Sequence, residues 1–383
     1  MLSEFSGFDY LIVGAGFYGA VLAERLANDA RARVLIIDRK NHIGGNSFSR
    51  IDPATGIEVH CYGSHIFHTA DEEVWRYLNR FGAFSNYRHK VLIERCGKIY
   101  FMPINLKTIN EFYNARLRPG EVAGFIAGEA GNMADPRNLE EKAIALIGRP
   151  LYEAFIKTYT AKQWECDPKE LPAAIITRLP IRSNYNTDYF NDCFQGIPLD
   201  GYGTLFSRML NHPNIKIMLN TDFNHIRTLI PRDCRIIYTG ALDRFFDYRF
   251  GALEWRTLRF EWETHPVADY QGAAVMNYGD LEVPYTRIHE FKHYHPERTE
   301  VFQRPQTVIC KEYSKRYTVE DEAFYPINNE RNNQLYARYR DLAAATPGLY
   351  AGGRLGAYSY WDMDKACGYA LKTYKTLNEK KDL

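Results

Sequence analysis

The 383-residue sequence predicts an α/β protein in which a parallel-sheet domain is interrupted by a helical section and by a section of antiparallel strands. Three observations predict it. The chain opens on a strand, a glycine-rich turn, a helix and a second strand within its first 38 residues. Residues 105–165 carry apolar side chains at three- and four-residue spacing, the period of amphipathic helices. Residues 250–325 alternate and are rich in aromatics, the pattern of antiparallel strands.

The N-terminal unit is the most informative. Tyr10-Leu-Ile-Val13 reads as a buried strand, 20–28 as a helix, and 34–37 as a second strand ending at Asp38. Between them stands Gly14-Ala-Gly16-Phe17-Tyr-Gly19. Here each glycine has its own task. Gly14 permits the tight turn, Gly16 lets a pyrophosphate approach the backbone, and Gly19 lets helix and strand pack closely. The helix N-terminus adds unpaired N–H groups and a partial positive charge. Asp38 lies 19 residues after Gly19, placed to accept hydrogen bonds from ribose hydroxyls. This is a Rossmann-like dinucleotide site. Ile43-Gly44-Gly45-Asn46 follows it and resembles the doublet of two-dinucleotide-binding-domain flavoproteins. Those folds return to the flavin near the C-terminus, as Gly352-Gly353-Arg354 and a helix from about Asp362 do here. FAD is therefore expected rather than NAD. A helix N-terminus aimed at the flavin N1/O2 edge would stabilise an anionic reduced ring by about 0.3–1 kcal/mol, more when partly buried.

Further along, 108–113, 139–146 and 151–159 read as helices, with a Gly/Pro/Asn loop over 128–138. Residues 165–180 hold three prolines and an acidic cluster, and part of this stretch is expected to be a mobile loop. Residues 205–210 read as a short helix, 215–219 and Arg235–Tyr238 as strands, the latter ending in Thr239-Gly240. Residues 349–351 read as a strand, 364–377 as a helix, and the last six residues as a frayed tail. The expected architecture is a Rossmann-like FAD-binding domain built from 1–85, 200–245 and 335–383. Into it are inserted a helical bundle (104–175, with a mobile loop at about 165–178) and an antiparallel β-sheet domain (86–103, 180–199 and 246–334).

Composition excludes several classes. The net charge of +1 gives no general attraction to nucleic acid or anionic membrane. The seven cysteines are odd in number, scattered and never in C-x-x-C spacing, which argues against a disulfide framework or structural zinc and fits a reducing cytoplasm. The N-terminus lacks a basic leader, and nothing approaches a membrane span.

With these segments in view, the sequence resembles the UDP-galactopyranose mutase family. The likeness runs through nearly the whole chain: GAGFYG, NHIGGN, YGSHIFHT, PINLKTIN, YTAKQW, IITRLPIRSNYNTDYF, TDF, VPYTRI, FYPINN, GGRLG and YSYWDMD. The resemblance implies an isomerase that interconverts UDP-galactopyranose and UDP-galactofuranose, supplying galactofuranose for cell-surface glycans. It implies FAD active only when reduced, with flavin N5 bonding the anomeric carbon as UDP leaves. A reductant such as NAD(P)H or a flavin reductase would keep it reduced, and a homodimer is compatible with it.

The resemblance also implies roles for residues. Arg178 and Arg287 would stabilise the leaving diphosphate, a task that suits the planar guanidinium fork. Tyr189, Tyr325 and Tyr360 match positions that bond phosphate oxygens. Phe155 and Tyr159 match the uracil-binding helix, and their four-residue spacing puts them on one face; plain core packing would use the same spacing. Trp164 matches a sugar-proximal tryptophan, Asn277 a substrate-contacting asparagine, and Asp362 an acid near flavin and sugar. His68 would bond the flavin and tune its nucleophilicity. Cofactor contacts fall on Gly14, Gly16, Phe17, Gly19, Asp38, Arg39, Gly45, Asn46, His65, His68, Phe223, Thr239, Gly240, Gly353, Arg354, Tyr360, Asp362 and Met363. His65 and His68 stand three apart, but no third ligand accompanies them and no metal is expected.

The chain departs from the family pattern in places. His89 stands in a stretch where many members carry an asparagine near the phosphates. Ser64 follows Gly63 where Gly-Pro is common, and Trp361 and Ala241 are less typical. Related enzymes acting on N-acetylated sugars differ around His60, so UDP-N-acetylgalactopyranose stays open as a substrate. So does net oxidation by an FAD-dependent oxidoreductase of the same fold, although neutral amine substrates would not need the arginine and tyrosine set.

Overall fold

The computed structural model describes residues 4–131, 135–178 and 180–379, without the side chains of Ala174, Thr177 and Arg178. Five parallel strands form one sheet, in the order Leu349–Ala351, Arg235–Tyr238, Tyr10–Val13, Val34–Ile37 and Ile215–Met218. Tyr10 is opposite Val34 on one side and Arg235 on the other. The continuous apolar runs of the two central strands follow from burial on both faces. Tyr10, Ile12, Val34 and Ile36 point into one core beneath helices Phe17–Asn28 and Met363–Glu379. Leu11, Leu35 and Ile37 point into a second core with Phe223, Leu242 and Tyr339.

A second sheet has seven strands, in the order Tyr325–Pro326, Trp255–His265, Thr307–Arg316, Arg287–Glu290, Val275–Tyr278, Val91–Arg95 and Lys98–Met102. The sequence pattern predicts antiparallel pairing throughout. The sheet is instead mixed, because Val275–Tyr278 runs parallel to Val91–Arg95. Alternation reports which side chains are buried and carries no strand direction, so this pairing left no local mark. The hairpin of Val91–Arg95 and Lys98–Met102 closes through Cys96 and Gly97, both at positive φ, as a two-residue primed turn requires.

Helices Leu106–Tyr113, Val122–Ala130 and Leu139–Ile147 precede a helical run over 149–164. Asn105 and Asn138 cap two of them by accepting N–H groups of the first turn. Two expectations need correction. Residues 128–130 complete helix Val122–Ala130, so the expected loop starts at Gly131, whose positive φ ends the helix; 132–134 lie outside the described residues. The run expected as one α-helix over 151–159 contains a π turn at Tyr152–Lys157, followed by helix Thr158–Trp164. Beyond Trp164 the chain makes two short turns, Pro168–Glu170 and Ala173–Arg178. Residues 380–383 of the expected frayed tail lie outside the described residues, while 378 and 379 are still helical. Among the described residues no helix is long and apolar enough to cross a membrane.

Candidate active site

The two sheets and the helical run meet around one cleft of about 1680 Å³. A pocket for one small ligand is commonly about 300–1,000 Å³. This volume has room for the reactive end of a cofactor and a nucleotide sugar together.

The cofactor side starts at the glycine turn. Gly14 has φ +109°, and a Cβ there would lie 2.0 Å from Thr239 Oγ1, so only glycine fits. Thr239 is held in place by donating to the carbonyl of Val13 at 2.8 Å. A Cβ on Gly19 would meet the Gly14 carbonyl at 2.0 Å, which is the close helix–strand approach expected of it. Gly16 caps helix Phe17–Asn28 with no side-chain hydrogen bond, and the first turn holds no acidic residue. That uncapped, uncompensated N-terminus suits a diphosphate. Asp38 is buried and accepts from the N–H of Ala15 at 2.8 Å and of Lys40 at 2.9 Å, one bond to each oxygen. The remaining lone pairs suit ribose hydroxyls. Gly45 has φ +57° and packs its backbone on Gly16, while Asn46 accepts from Lys40 Nζ at 2.5 Å and lines the cleft.

The return of the chain completes this side. Gly353 has φ +76° and sits against Thr239 and Tyr18. Arg354 lines the cleft and is fixed by donating through Nε and Nη2 to the carbonyl of Trp361, at 2.8 and 2.6 Å. Asp362 and Met363 line the cleft where the 17-residue helix Met363–Glu379 begins. A bare helix terminus, a buried carboxylate and a second helix that begins at the cleft fit a dinucleotide cofactor. His65 and His68 line the cleft as well. Burial pushes the His65 imidazole down to about 4, so it is neutral at pH 7. His68 donates from Nδ1 to Asp192 at 2.5 Å and stacks on Phe190 with centroids 3.7 Å apart, which fixes its ring. Of the other expected cofactor residues, Arg39 is exposed and pairs with Glu322 at 3.3 Å. Phe17 packs on Phe206 and Phe67, and Phe223 on Tyr238 and Phe245, all within the two cores. Gly240 lies against the Tyr238 ring.

The side of the cleft expected to take substrate is organised around Arg287. It donates to the hydroxyl of Tyr159, and its Nε lies 3.3 Å from Oε1 of Glu312. Burial alone would raise the Glu312 carboxyl, but Arg287 and His289 outweigh it and hold the group down at about 2. Asn277, opposite Arg287 across the strand pair, is buried, and its Oδ1 has no hydrogen-bond partner. An unpaired buried acceptor facing a cleft is costly unless a ligand fills it. Tyr325 and Tyr360 stack with centroids 5.0 Å apart, and the guanidinium of Arg354 lies 5.4 Å from the Tyr360 ring. Tyr189, Trp164, Tyr159 and Phe155 also line the cleft. Phe155, within the π turn, is buried against Tyr100 and Phe112, while Tyr159 in the helix that follows bonds Arg287. Arg178 ends the turn Ala173–Arg178, and its side chain lies outside the described residues.

Sequence reasoning missed the buried polar chain behind Arg287. Glu312 also accepts from His289 Nε2 at 3.0 Å. The other nitrogen of His289 lies 2.8 Å from Ser64 Oγ and 3.2 Å from the Tyr294 hydroxyl, and Ser64 bonds Tyr294 in turn. With an ionised acceptor at Nε2, the neutral ring must accept at Nδ1. A signal existed: Glu312 shares the inward register of its strand with Val308 and Cys310. A charge on an inward position asks for a buried partner.

Residues 154–360 match the family model described as UDP-galactopyranose mutase, and 12–81 match a NAD(P)-binding Rossmann-like domain. The chain is 42% identical over 367 residues to a dTDP-fucopyranose mutase of Escherichia coli, covering 94% of this chain and 96% of that one. It is 42% identical over 369 residues to a probable UDP-galactopyranose mutase of Klebsiella pneumoniae, covering 95% and 93%. Its fold is similar to the crystal structure of a reduced UDP-galactopyranose mutase, with a TM-score of 0.72 at 13% identity over 97% of this chain and 96% of that one.

Proposed function

This chain belongs to the UDP-galactopyranose mutase family, whose members are isomerases, and from that membership we propose that it interconverts UDP-galactopyranose and UDP-galactofuranose on reduced FAD. One observation carries the reading. Arg287, braced by Glu312 and Tyr159, shares a single cleft with His65, Arg354 and Met363 at the cofactor side. A diphosphate leaving group and an electron-rich ring can therefore face the same sugar.

The flavin, held along Gly14–Gly19, Asp38, Gly45 and Gly353, would supply the nucleophilic nitrogen for the anomeric carbon. The chain's own residues do the remaining work. Arg287 takes up the negative charge that develops on the departing diphosphate, with Arg178 proposed as the second cation. Charge-assisted hydrogen bonds of this kind are worth about 1.5–3 kcal/mol each. Tyr325 and Tyr360 offer phenol donors to the same oxygens, and Asn277 Oδ1 accepts a substrate hydroxyl. His68, fixed by Asp192, would bond the flavin ring. We place the uracil against the helical run at Phe155 and Tyr159, the sugar near Trp164, and a closing loop over 165–178. A cytoplasmic location with an external reductant fits the seven free thiols.

A second reading has a specific basis. The dTDP-fucopyranose mutase of Escherichia coli is as similar to this chain as the Klebsiella relative is. The two substrates share a hexopyranose on a nucleoside diphosphate and differ in the base, the nucleoside 2′-hydroxyl and the sugar C6 hydroxyl. The test is turnover by dithionite-reduced protein offered the furanose and pyranose forms of UDP-galactose, dTDP-fucose and UDP-N-acetylgalactose separately. Fastest turnover of the UDP-galactose pair supports the proposal, and preference for the dTDP-fucose pair replaces it with the second reading.

A further inference from the structure

Lys162 lies outside the set of residues given a role above. It stands on helix Thr158–Trp164, three residues after Tyr159 and four after Thr158, so all three share a face. Its Nζ donates to four backbone carbonyls: Tyr278 at 2.6 Å, Asp280 at 2.9 Å, Val283 at 3.1 Å and Tyr285 at 3.1 Å. An ammonium has three protons, so four carbonyls at this range surround it much as oxygens surround a bound cation. Tyr278 ends strand Val275–Tyr278, and the other three belong to the turn that joins it to strand Arg287–Glu290. Those strands carry Asn277 and Arg287. Thr158 adds a bond from Oγ1 to the carbonyl of Gly279 in the same turn.

We propose that Lys162 is a positioning residue that ties the substrate helix to the Asn277–Arg287 hairpin, so that Tyr159 and Arg287 hold the nucleotide diphosphate as one unit. The geometry supports this on both sides. Tyr159 bonds the tip of Arg287 at one end of the contact, and Lys162 gathers the turn at the other. Carbonyl oxygens that converge on one point repel each other and need a cation among them. Removing the ammonium lets the turn open and Arg287 shift relative to Tyr159. The helix also leads directly into the 165–178 loop, so the same clasp keeps its base docked while the loop moves. This inference rests on the diphosphate-binding role proposed for Arg287.

The test is UDP affinity of the FAD-loaded protein, measured by calorimetry for wild type, Lys162→Met, Thr158→Val, Arg287→Ala and the Lys162→Met/Arg287→Ala double variant. Lys162→Met should weaken UDP about tenfold or more, and Thr158→Val about threefold, with flavin content and absorbance unchanged. In the Arg287→Ala background Lys162→Met should cost less than twofold, because its effect passes through Arg287. A purely structural lysine would give equal losses in both backgrounds. Wild-type affinity in Lys162→Met, or the same loss with and without Arg287, overturns the proposal. Should Lys162→Met fail to fold, Thr158→Val decides, and unchanged affinity there overturns it. If wild-type protein itself does not bind UDP, the functional reading fails instead.

Discussion

Arg287 Nε lies 3.3 Å from Oε1 of Glu312, whose other oxygen accepts from His289 at 3.0 Å. The arginine proposed to face the diphosphate is thus paired with a buried carboxylate that His289 holds from the other side. Replacing Glu312 with Gln removes the brace and sets an amide N–H against the guanidinium. Turnover by the reduced enzyme should fall about ten- to a hundredfold, with flavin content unchanged. Steady-state kinetics beside flavin absorbance checks this, and full activity in Glu312→Gln would show that Arg287 needs no brace.

Gly14→Ala tests the cofactor side. The new Cβ would lie 2.0 Å from Thr239 Oγ1 at φ +109°, a conformation that alanine avoids. The variant should purify with little or no flavin, judged by its absorbance spectrum. A yellow protein with wild-type FAD content would mean that the dinucleotide lies elsewhere.

Trp164 lies at the end of its helix, on the cleft, where the proposed closing loop begins. Adding UDP should change the protein's tryptophan fluorescence, and Trp164→Phe should abolish most of that change. An equal signal from the variant would assign it to one of the other four tryptophans.

Acid should destabilise the protein in two stages. Burial pushes His60 and His89 down to about 3 and His65 to about 4, below the ordinary value of 6.5. The unfolded chain then binds more protons than the folded one once pH drops below about 6.5. Glu58, Glu290 and Glu312 are each held at about 2. Burial would raise them, but His295, His293 with Thr307, and Arg287 with His289 respectively outweigh it. Their contribution is present above about 4.5 and is lost toward pH 2. Urea midpoints should therefore fall steadily from pH 7 and more steeply below about 4.5. A flat midpoint between pH 6.5 and 4 would contradict this.

The parts of this molecule legible in its sequence are those with a local physical cause. Gly14 marks a tight turn, which positive φ there meets, and Asp38 closes the second strand as expected. The alternation over 250–325 indicates antiparallel strands, and Trp255–His265 and Thr307–Arg316 pair in that way, though which strands pair is not legible in it. What stayed hidden depends on residues far apart in the chain. Nothing near Val275 indicates its parallel partner Val91, and nothing near Tyr152 indicates a π turn. The string from Tyr294 through Ser64 and His289 to Glu312 joins three segments, and only the inward charge of Glu312 marks it locally. Ser64 was visible only as a departure from the family pattern, and its partners give that departure a reason.

The central claim is that a reduced flavin and the Arg287 site act on one sugar without net oxidation. Its most direct test follows UDP-galactofuranose, UDP-galactopyranose and flavin absorbance together in one cuvette, starting from oxidised or dithionite-reduced holoenzyme. The reduced sample should give many turnovers per flavin, with the flavin still reduced at the end, and the oxidised sample almost none. Equal rates in both samples, or sugar oxidised in step with flavin reduction, would contradict it.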